Sequence, residues 1–430
     1  MKRTYIEEVK NHIGKEVLIK ASVDTIRDQS KIVFLILRDV SGLIQCVVLK
    51  DCKDFESAKN LTVESVVALK GRVKEEKQAP NGFEIETLEI EILSKADPEL
   101  PIPVNVKKGG EETNQNSRFD YRFIDLRKPE KTKIFKVWTE LERGLRNYWE
   151  QGNYTQIYPP ALMNTASETG ASVFEVQYFK KKAFLAQSPQ FYKQMAISAG
   201  LDRVFMVGPV FRAEPSFTTR HLTEFTGWDF EIGFIDSHYD VMDEEEKMIV
   251  AGFTQLKEKF PELDIEIPKT PFPRIPLLEA KKKLKAAGVV SERPDDLSPE
   301  EERKISELVK KETGNDFVFL TDYPISIRPF YHMRHEDNPR LTKSADLIYR
   351  GVEITTLAQR EHRYEKLLEQ AKEKKMDLAA LESYLSFFKY GCAPHGGGGI
   401  GPSRFISKIL GYENVREVTF LPRDVNRLTP

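Results

Sequence analysis

The chain has 430 residues, 40% of them hydrophobic and 31% charged, enough to bury a large core and to form two or three domains. Its 65 lysines and arginines stand against 67 acids, so no global basic field marks a nucleic-acid binder, and any such contact has to come from local patches. Cys46, Cys52 and Cys392 make neither a C-x-x-C pair nor an even disulfide framework, which points to free thiols in a reducing compartment and away from a structural zinc site. No signal peptide opens the chain and no apolar run approaches the roughly 18 residues of a membrane helix. A soluble, cytoplasmic protein is expected.

Within residues 1–100, EVLIKASVDTIRD, KIVFLILRD, GLIQCVVL, SVVALKGRVKEE and GFEIETLEIEILSKA read as short strands separated by turn residues such as Asp39–Gly42 and Ala79–Gly82. With a helical segment near Phe55–Leu61 they predict a five-stranded OB-fold barrel, a scaffold that binds single-stranded nucleic acid by stacking bases and reading their edges. Residues 101–131 are polar with prolines at the edges and read as a hinge. Residues 132–430 form the second domain. Ile134, Trp138, Leu141, Leu145 and Trp149 recur at helical spacing, and Gly152 and the strand-like YTQIYPPAL follow, ending in Pro159–Pro160; periodicity alone allows an ordinary amphipathic helix here. Residues 204–211 read as a buried strand, and 222–235 as its antiparallel return. From about 257 to 322 the chain turns charged and helical, with SPEEERKISELVKKETG opening on a serine cap and a first-turn proline. A solvated peripheral insertion is expected there. The whole reads as an α+β protein.

The richest stretch is FRAEPSFTTRHLTEFTGWDFE, Phe211 to Glu231. Period two puts Arg212 and Glu214 on one face of the first strand and Phe225, Asp229 and Glu231 on one face of the second. A cation for phosphate, a ring for a base and carboxylates for an amine can thus share one sheet surface. Alone, the stretch could be a hairpin with paired surface charges. It resembles motif 2 of the class II aminoacyl-tRNA synthetases, and FRAE, RHLTEF and D-F-E are similar to the aspartyl enzymes. The helix and proline-closed strand at about 134–162 resemble motif 1, the homodimer interface of that family. GGGGIGPSRF, within 396–411, resembles motif 3, where a glycine-rich strand admits ATP and the next helix carries an arginine. The resemblance implies a catalytic domain built on an antiparallel sheet flanked by helices, with the barrel as anticodon-binding domain.

Activating an amino acid sets its carboxylate against the α-phosphorus of ATP, so two anions must be positioned and neutralised together. By resemblance, Arg212 clamps the α-phosphate and the carboxylate, Glu214 contacts adenine, Phe225 and Arg404 sandwich the ring, Arg220 and His221 reach the outer phosphates, and Leu222 lies beside them. Asp346 and Glu353, in SADLIYRGVEI, match the pair that ligates Mg²⁺, although two such carboxylates could equally be solvated. Lys193 and Arg360 match the side-chain site and suit an aspartate carboxylate. Glu168 and Asp229 would take the substrate ammonium, with Ser188 and Gln190 completing the lining. In the barrel, Phe34, Gln45 and Glu89 match positions that hold anticodon bases. Phe34 taken singly would be core.

The chain departs from the family pattern at Ser403, where a glutamate often precedes the motif 3 arginine, and at Leu357, where relatives carry glycine near the substrate. Leu357 implies either a side chain turned into the core or a weakened pocket. His362 is expected to be a packed histidine, not a general base. An asparaginyl enzyme, or a paralogue adenylating an amino acid without charging tRNA, are the alternatives. No large domain fits between motifs 2 and 3, so the chain resembles the compact archaeal form. That form includes enzymes charging tRNA(Asp) alone and others also making Asp-tRNA(Asn) for an amidotransferase. Selectivity is expected in barrel loops. There Asp24 replaces the tryptophan of selective relatives and fits neither pattern, while Pro80 replaces a lysine and removes a donor. Pro80 favours the relaxed enzyme that charges both tRNAs.

Overall fold

A computed structural model describes residues 1–105, 111–165 and 172–430. The chain divides into two compact units, Met1–Lys131 and Thr132–Pro430. In the first, β1 (Glu16–Asp28), β2 (Ile32–Arg38), β3 (Leu43–Leu49), α1 (Phe55–Lys59), β4 (Val66–Glu75) and β5 (Phe83–Ser94) follow one another. The strands close in the order β1-β2-β3-β5-β4, with β4 returning to pair β1. This is the OB barrel that the strand alternation implied, with its helix between β3 and β4. Val33, Leu35 and Leu37 on β2 and Ile44, Cys46 and Val48 on β3 fill its interior. The intervening Phe34 and Gln45 point outward and are half-buried.

Two sequence expectations differ in this unit. Residues 111–131, read as part of a hinge, contain α2 (Gln115–Asp120) and α3 (Arg122–Asp125). Asp125 is fully buried and pairs with Arg122 at 2.7 Å and Lys128 at 3.2 Å. A polar composition hid this cluster because buried charges are ordinarily rare unless paired. Asp24, placed in a barrel loop by the resemblance, lies within β1, inside the strand read from the sequence, at a break in the register between Val23 and Thr25. Its side chain is taken by Arg38 at 2.5 Å and Asn105 at 3.0 Å, and Arg38 also bonds Glu64 at 2.8 Å.

The second unit begins with α4 (Pro129–Gln151) and the short strand β6 (Thr155–Gln156). β7 (Leu162–Met163), β8 (Glu175–Tyr178) and β9 (Lys181–Leu185) make a small separate sheet, followed by α5 (Gln190–Ser198). Then come β10 (Arg203–Phe211), β11 (Glu224–Gly233), α6 (His238–Lys259), β12 (Arg274–Pro276), α7 (Leu277–Ala286), α8 (Pro299–Thr313) and β13 (Phe317–Thr321). β14 (Ser344–Tyr349), β15 (Val352–Gln359), α9 (Tyr364–Glu373), α10 (Glu382–Lys389), β16 (His395–Ile400) and α11 (Pro402–Leu410) complete it. The main sheet runs β12-β13-β14-β15-β16-β11-β10-β6. It is antiparallel throughout except at its two edges, where β12 joins β13 and β6 joins β10 in parallel.

Behind this sheet, Ile134, Leu141, Leu145 and Trp149 of α4 are fully buried with Phe230, Phe317 and Leu357. The amphipathic face of α4 is thus used within its own chain, and Trp138 donates to the Val418 carbonyl at 2.9 Å. α4 crosses α6 closely enough that a Cβ on Gly144 would stand 2.6 Å from the Gly252 Cα. The segment 257–322 is not peripheral throughout: it supplies β12 and β13, and Phe272 and Phe317 join the main core. Among the described residues no helix is long and apolar enough to cross a membrane.

Glu245 on α6 is fully buried with neither carboxyl oxygen hydrogen-bonded, and burial pushes its carboxyl up to about 8. An unfolded glutamate titrates near 4.3. Between these values unfolding releases a proton, so stability falls as pH rises, by up to about 1.4 kcal/mol per pH unit. The E245Q variant is expected to lack this slope and to be the more stable protein at pH 8, as denaturation midpoints from pH 5 to 8 would register.

Candidate active site

A cavity of about 400 Å³ opens on the face of the main sheet and is lined from β10, β11, β15, β16, α5, α11 and the loop before β14. Of the residues singled out in the sequence, Ser188, Gln190, Lys193, Arg212, Glu214, Arg220, His221, Leu222, Phe225, Asp229, Glu353, Arg360 and Arg404 all line it. Asp346 lies beneath it, buried. His362 does not line it, and Glu168 lies outside the described residues.

β10 and β11 pair antiparallel from Arg203↔Ile232 to Phe211↔Glu224. Arg212 and Glu214 lie just past the end of β10, not on its face as the alternation suggested, although Arg212 N still reaches the Thr223 carbonyl at 2.8 Å. Arg212 stands over the Phe225 ring, 5.5 Å from its centroid. Its Nε is buried without a hydrogen-bond partner, and no carboxylate pairs with it among the described residues. The other arginines here are engaged. Arg220 bonds Glu302 of α8 at 2.9 Å and the Gly351 carbonyl at 3.2 Å. Arg404 donates to the Glu353 carbonyl at 3.2 Å, with that residue's carboxylate 3.6 Å away. Arg328 pairs with Asp346 at 2.7 Å. Burial holds the His221 imidazole below its ordinary pKa, with Arg404 adding to the effect, so the ring is neutral and can meet an anion only through a hydrogen bond.

Asp346 and Glu353 meet at one hydroxyl: Thr356 Oγ1 is 2.8 Å from Asp346 Oδ1 and 3.2 Å from Glu353 Oε1. Burial raises the Asp346 carboxyl to about 6, Arg328 opposing and Glu353 adding to the rise. Burial likewise brings Glu302 to about 7 despite Arg220, with the nearby Glu353 reinforcing it. The two candidate ligands are therefore an all-oxygen pair of the kind Mg²⁺ takes, usually with waters and phosphates completing the shell.

At the other end of the cavity four charges interlock. Lys193 Nζ is 2.9 Å from Asp229 and 3.4 Å from Glu231, and it donates to the Gly398 carbonyl at 3.1 Å. Arg360 binds Glu231 at 2.9 Å, the Gly397 carbonyl at 2.7 Å and His332 at 3.1 Å. The NH1 nitrogen carries a second N–H, for which no partner is found among the described residues. The glycines of β16 make room for this: a Cβ on Gly397 would collide with the Phe230 carbonyl and the Glu231 carboxylate. Gln190 is buried with its Nε2 unpartnered at the cavity wall. The two cations that the resemblance assigned to the side-chain site, Lys193 and Arg360, thus come with their own anions, because Glu231 pairs with both and Asp229 with Lys193, so the four groups balance. Glu231 was visible in the sequence as the next odd position after Asp229. Arg328, His332 and Glu302 carried no local signal.

Leu357 turns away from the cavity and is fully buried in the main core, while the adjacent Thr356 faces the cavity. L357A is expected to cost about 2–5 kcal/mol of stability while leaving the KM for the amino acid near the parent value, as unfolding curves and steady-state kinetics would register. Ser403 lines the cavity beside Arg404. In the barrel, Gln45 donates to Glu84 at 2.8 Å and Glu89 pairs with Lys53 at 2.8 Å, while Pro80 is exposed at the tip of the β4–β5 turn.

Arg212, without a carboxylate partner among the described residues, thus stands above an aromatic ring on the same sheet face as a balanced pocket of buried charges. Residues 114–425 match the tRNA synthetases class II (D, K and N), and residues 17–93 match the OB-fold nucleic acid binding domain. The chain belongs to the class II tRNA synthetases of this D, K and N group. It is 42% identical to the aspartate–tRNA(Asp/Asn) ligase of Aeropyrum pernix, covering 97% of this chain and 96% of that one. It is 38% identical to the aspartate–tRNA(Asp) ligase of Pyrococcus abyssi, covering 99% of each. Among solved structures, the asparaginyl-tRNA synthetase of Pyrococcus horikoshii complexed with asparaginyl-adenylate superposes with a TM-score of 0.92 at 34% identity, covering all of both chains.

Proposed function

We propose that the chain joins L-aspartate to tRNA at the expense of ATP, through an aspartyl-adenylate, and that it charges both tRNA(Asp) and tRNA(Asn). The observation that carries the chemistry is Arg212, a cavity cation with no carboxylate partner and an orphaned Nε among the described residues. It has the place and charge to bridge the amino-acid carboxylate and the α-phosphate as that carboxylate attacks in line and diphosphate leaves. Phe225 receives the adenine on the face that Arg212 and Arg404 border, and Glu214 meets its edge. Arg220, oriented by Glu302, and neutral His221 take the outer phosphates.

Asp346 and Glu353, gathered by Thr356, are the residues that would hold Mg²⁺, which when bound neutralises phosphate charge. Asp229 and Glu168 receive the substrate ammonium, and Ser188 and Gln190 complete the polar lining. The free N–H of Arg360 and the Lys193 ammonium face the side-chain carboxylate. Because this cluster is already balanced by Asp229 and Glu231, charge alone does not separate aspartate from asparagine, and the likeness to an asparaginyl enzyme keeps asparagine as the second reading. Identity to aspartate ligases favours the first.

On the barrel, Phe34 and Gln45 lie outward on neighbouring strands, suited to stack and read anticodon bases, and Glu89 on β5, paired with Lys53, is a further base contact. Pro80, exposed and without a donor, supports tolerance of the last anticodon base. Asp24 contributes to the barrel's own ion network instead. The exposed Tyr158 beside Pro159–Pro160, 82% accessible next to the edge strand β6, supports a homodimer. A cytoplasmic setting and an Asp-tRNA(Asn) amidotransferase in the same cell complete the reading. Charging of purified tRNA(Asp) and tRNA(Asn) transcripts with labelled aspartate, with asparagine in parallel, tests it. Comparable aspartate transfer to both is expected; transfer to tRNA(Asp) alone removes the argument from Pro80, and asparagine transfer establishes the second reading.

A further inference from the structure

The cysteine spacing spoke against zinc, yet a different donor set assembles outside the cavity. His238, the first residue of α6, Asp322, just after β13, and His335, in the loop before β14, converge from three separate stretches. One ligand atom from each lies within 4.8 Å of the others. His335 Nε2 is 2.9 Å from Asp322 Oδ1, and His238 Nε2 is 3.9 Å from the same oxygen, beyond hydrogen-bond reach. His238 is 2% exposed, and neither ring nitrogen has a hydrogen-bond partner. A buried polar group left without a partner is destabilising. Asp322 has φ of +62°, a left-handed conformation that a non-glycine residue adopts only when its surroundings impose it. Its second oxygen is fixed by the Thr321 hydroxyl at 2.8 Å, which leaves Oδ1 turned toward the two rings.

We propose that His238, Asp322 and His335 form a binding site for a divalent transition metal of the zinc class. Two imidazoles and one carboxylate are a tetrahedral zinc set with a fourth position for water, and nitrogen donors select against Mg²⁺. No hydrogen bond engages either His238 ring nitrogen among the described residues, so one of them can turn its lone pair to the ion. Arg274 and Lys343 add positive charge nearby, Arg274 being answered by Asp243 and Glu246. That field opposes any cation, and the Asp322 carboxylate offsets it. On metal binding, the proton that His335 Nε2 shares with Asp322 moves to Nδ1, freeing the nitrogen as ligand. The ion would tie the start of α6 to the loop between β13 and β14, which also carries Arg328, Tyr331 and His332 at the cavity wall.

The test uses the full chain without a histidine tag, stripped with chelator and dialysed, then titrated with Zn²⁺ and separately with Co²⁺ in the absence of ATP. One equivalent is expected, with the intense visible bands of four-coordinate Co²⁺. H335A and H238Q, each checked for native circular dichroism, should bind more than about a hundredfold more weakly, since losing even an outer-shell partner costs about 10–100-fold. Zn²⁺ should also protect His335 of the unsubstituted protein from diethyl pyrocarbonate, a readout that needs no variant. No binding by the parent, unchanged binding in both variants, or absence of protection overturns the assignment.

Discussion

E231Q is expected to lose both stability and amino-acid activation. Glu231 is fully buried and lies between Arg360, at 2.9 Å, and Lys193, at 3.4 Å. Burial alone would raise its carboxyl, but Arg360 and then Lys193 outweigh it and hold it below the ordinary range. Glutamine keeps the shape and removes the charge, which leaves Arg360 without its anion in a site closed to water. Breaking a buried pair from one side costs about 3–5 kcal/mol. Lys193 retains Asp229, so Arg360 bears most of the loss. Its guanidinium would shift from the position that aims its free N–H at the substrate, and a displacement of this kind costs about a hundredfold in rate. The pH dependence has a definite sign. Because the folded carboxyl is depressed, its contribution is present above the unfolded pKa and is lost as pH falls through the folded one, so the parent should lose stability in acid where E231Q does not. Denaturation midpoints across pH 3–7 and aspartate-dependent diphosphate exchange measure both effects. A variant with parental stability would mean that the four-charge cluster does not hold the pocket together.

R212A should behave in the opposite manner, leaving the fold intact and removing the reaction. Arg212 has no carboxylate partner among the described residues, so truncation strands no opposite charge. Loss of a preorganised donor at developing phosphate charge costs about 10²–10³ in turnover, and the same is expected for diphosphate exchange here. R212K is expected to recover little of it, because an ammonium cannot span two anions as a planar fork does. Retention of full exchange by R212A, with an unchanged unfolding midpoint, would exclude it from the transition state and shift that role to Arg404.

Much of this arrangement was legible because period and spacing are local properties. The inward run Val33, Leu35, Leu37 announced a barrel strand, and the odd positions Phe225, Asp229 and Glu231 placed three side chains on one sheet face. What stayed hidden depends on chain segments distant in sequence. Glu302 sits in a charged helix whose composition matches a solvated face, and only the fold brings it to Arg220, 82 residues earlier. His332 and Arg328 lie in a loop with no period to read. Asp24 was put in a loop by the resemblance although the strand read over residues 16–28 contains it, and its partner Arg38 on the neighbouring strand carried no signal of the pairing.

The contact of α8 with Arg220 at the cavity wall bears on how this enzyme could be trimmed or recombined. A shortened design would take 257–322 as an ornament to delete, since none of the three motifs falls within it. Yet Glu302 anchors Arg220 and also accepts the backbone N–H of Glu353 at 3.0 Å. A chimaera that borrows this segment from a relative therefore inherits, or loses, the alignment of an arginine and a metal-ligand strand that it never contained.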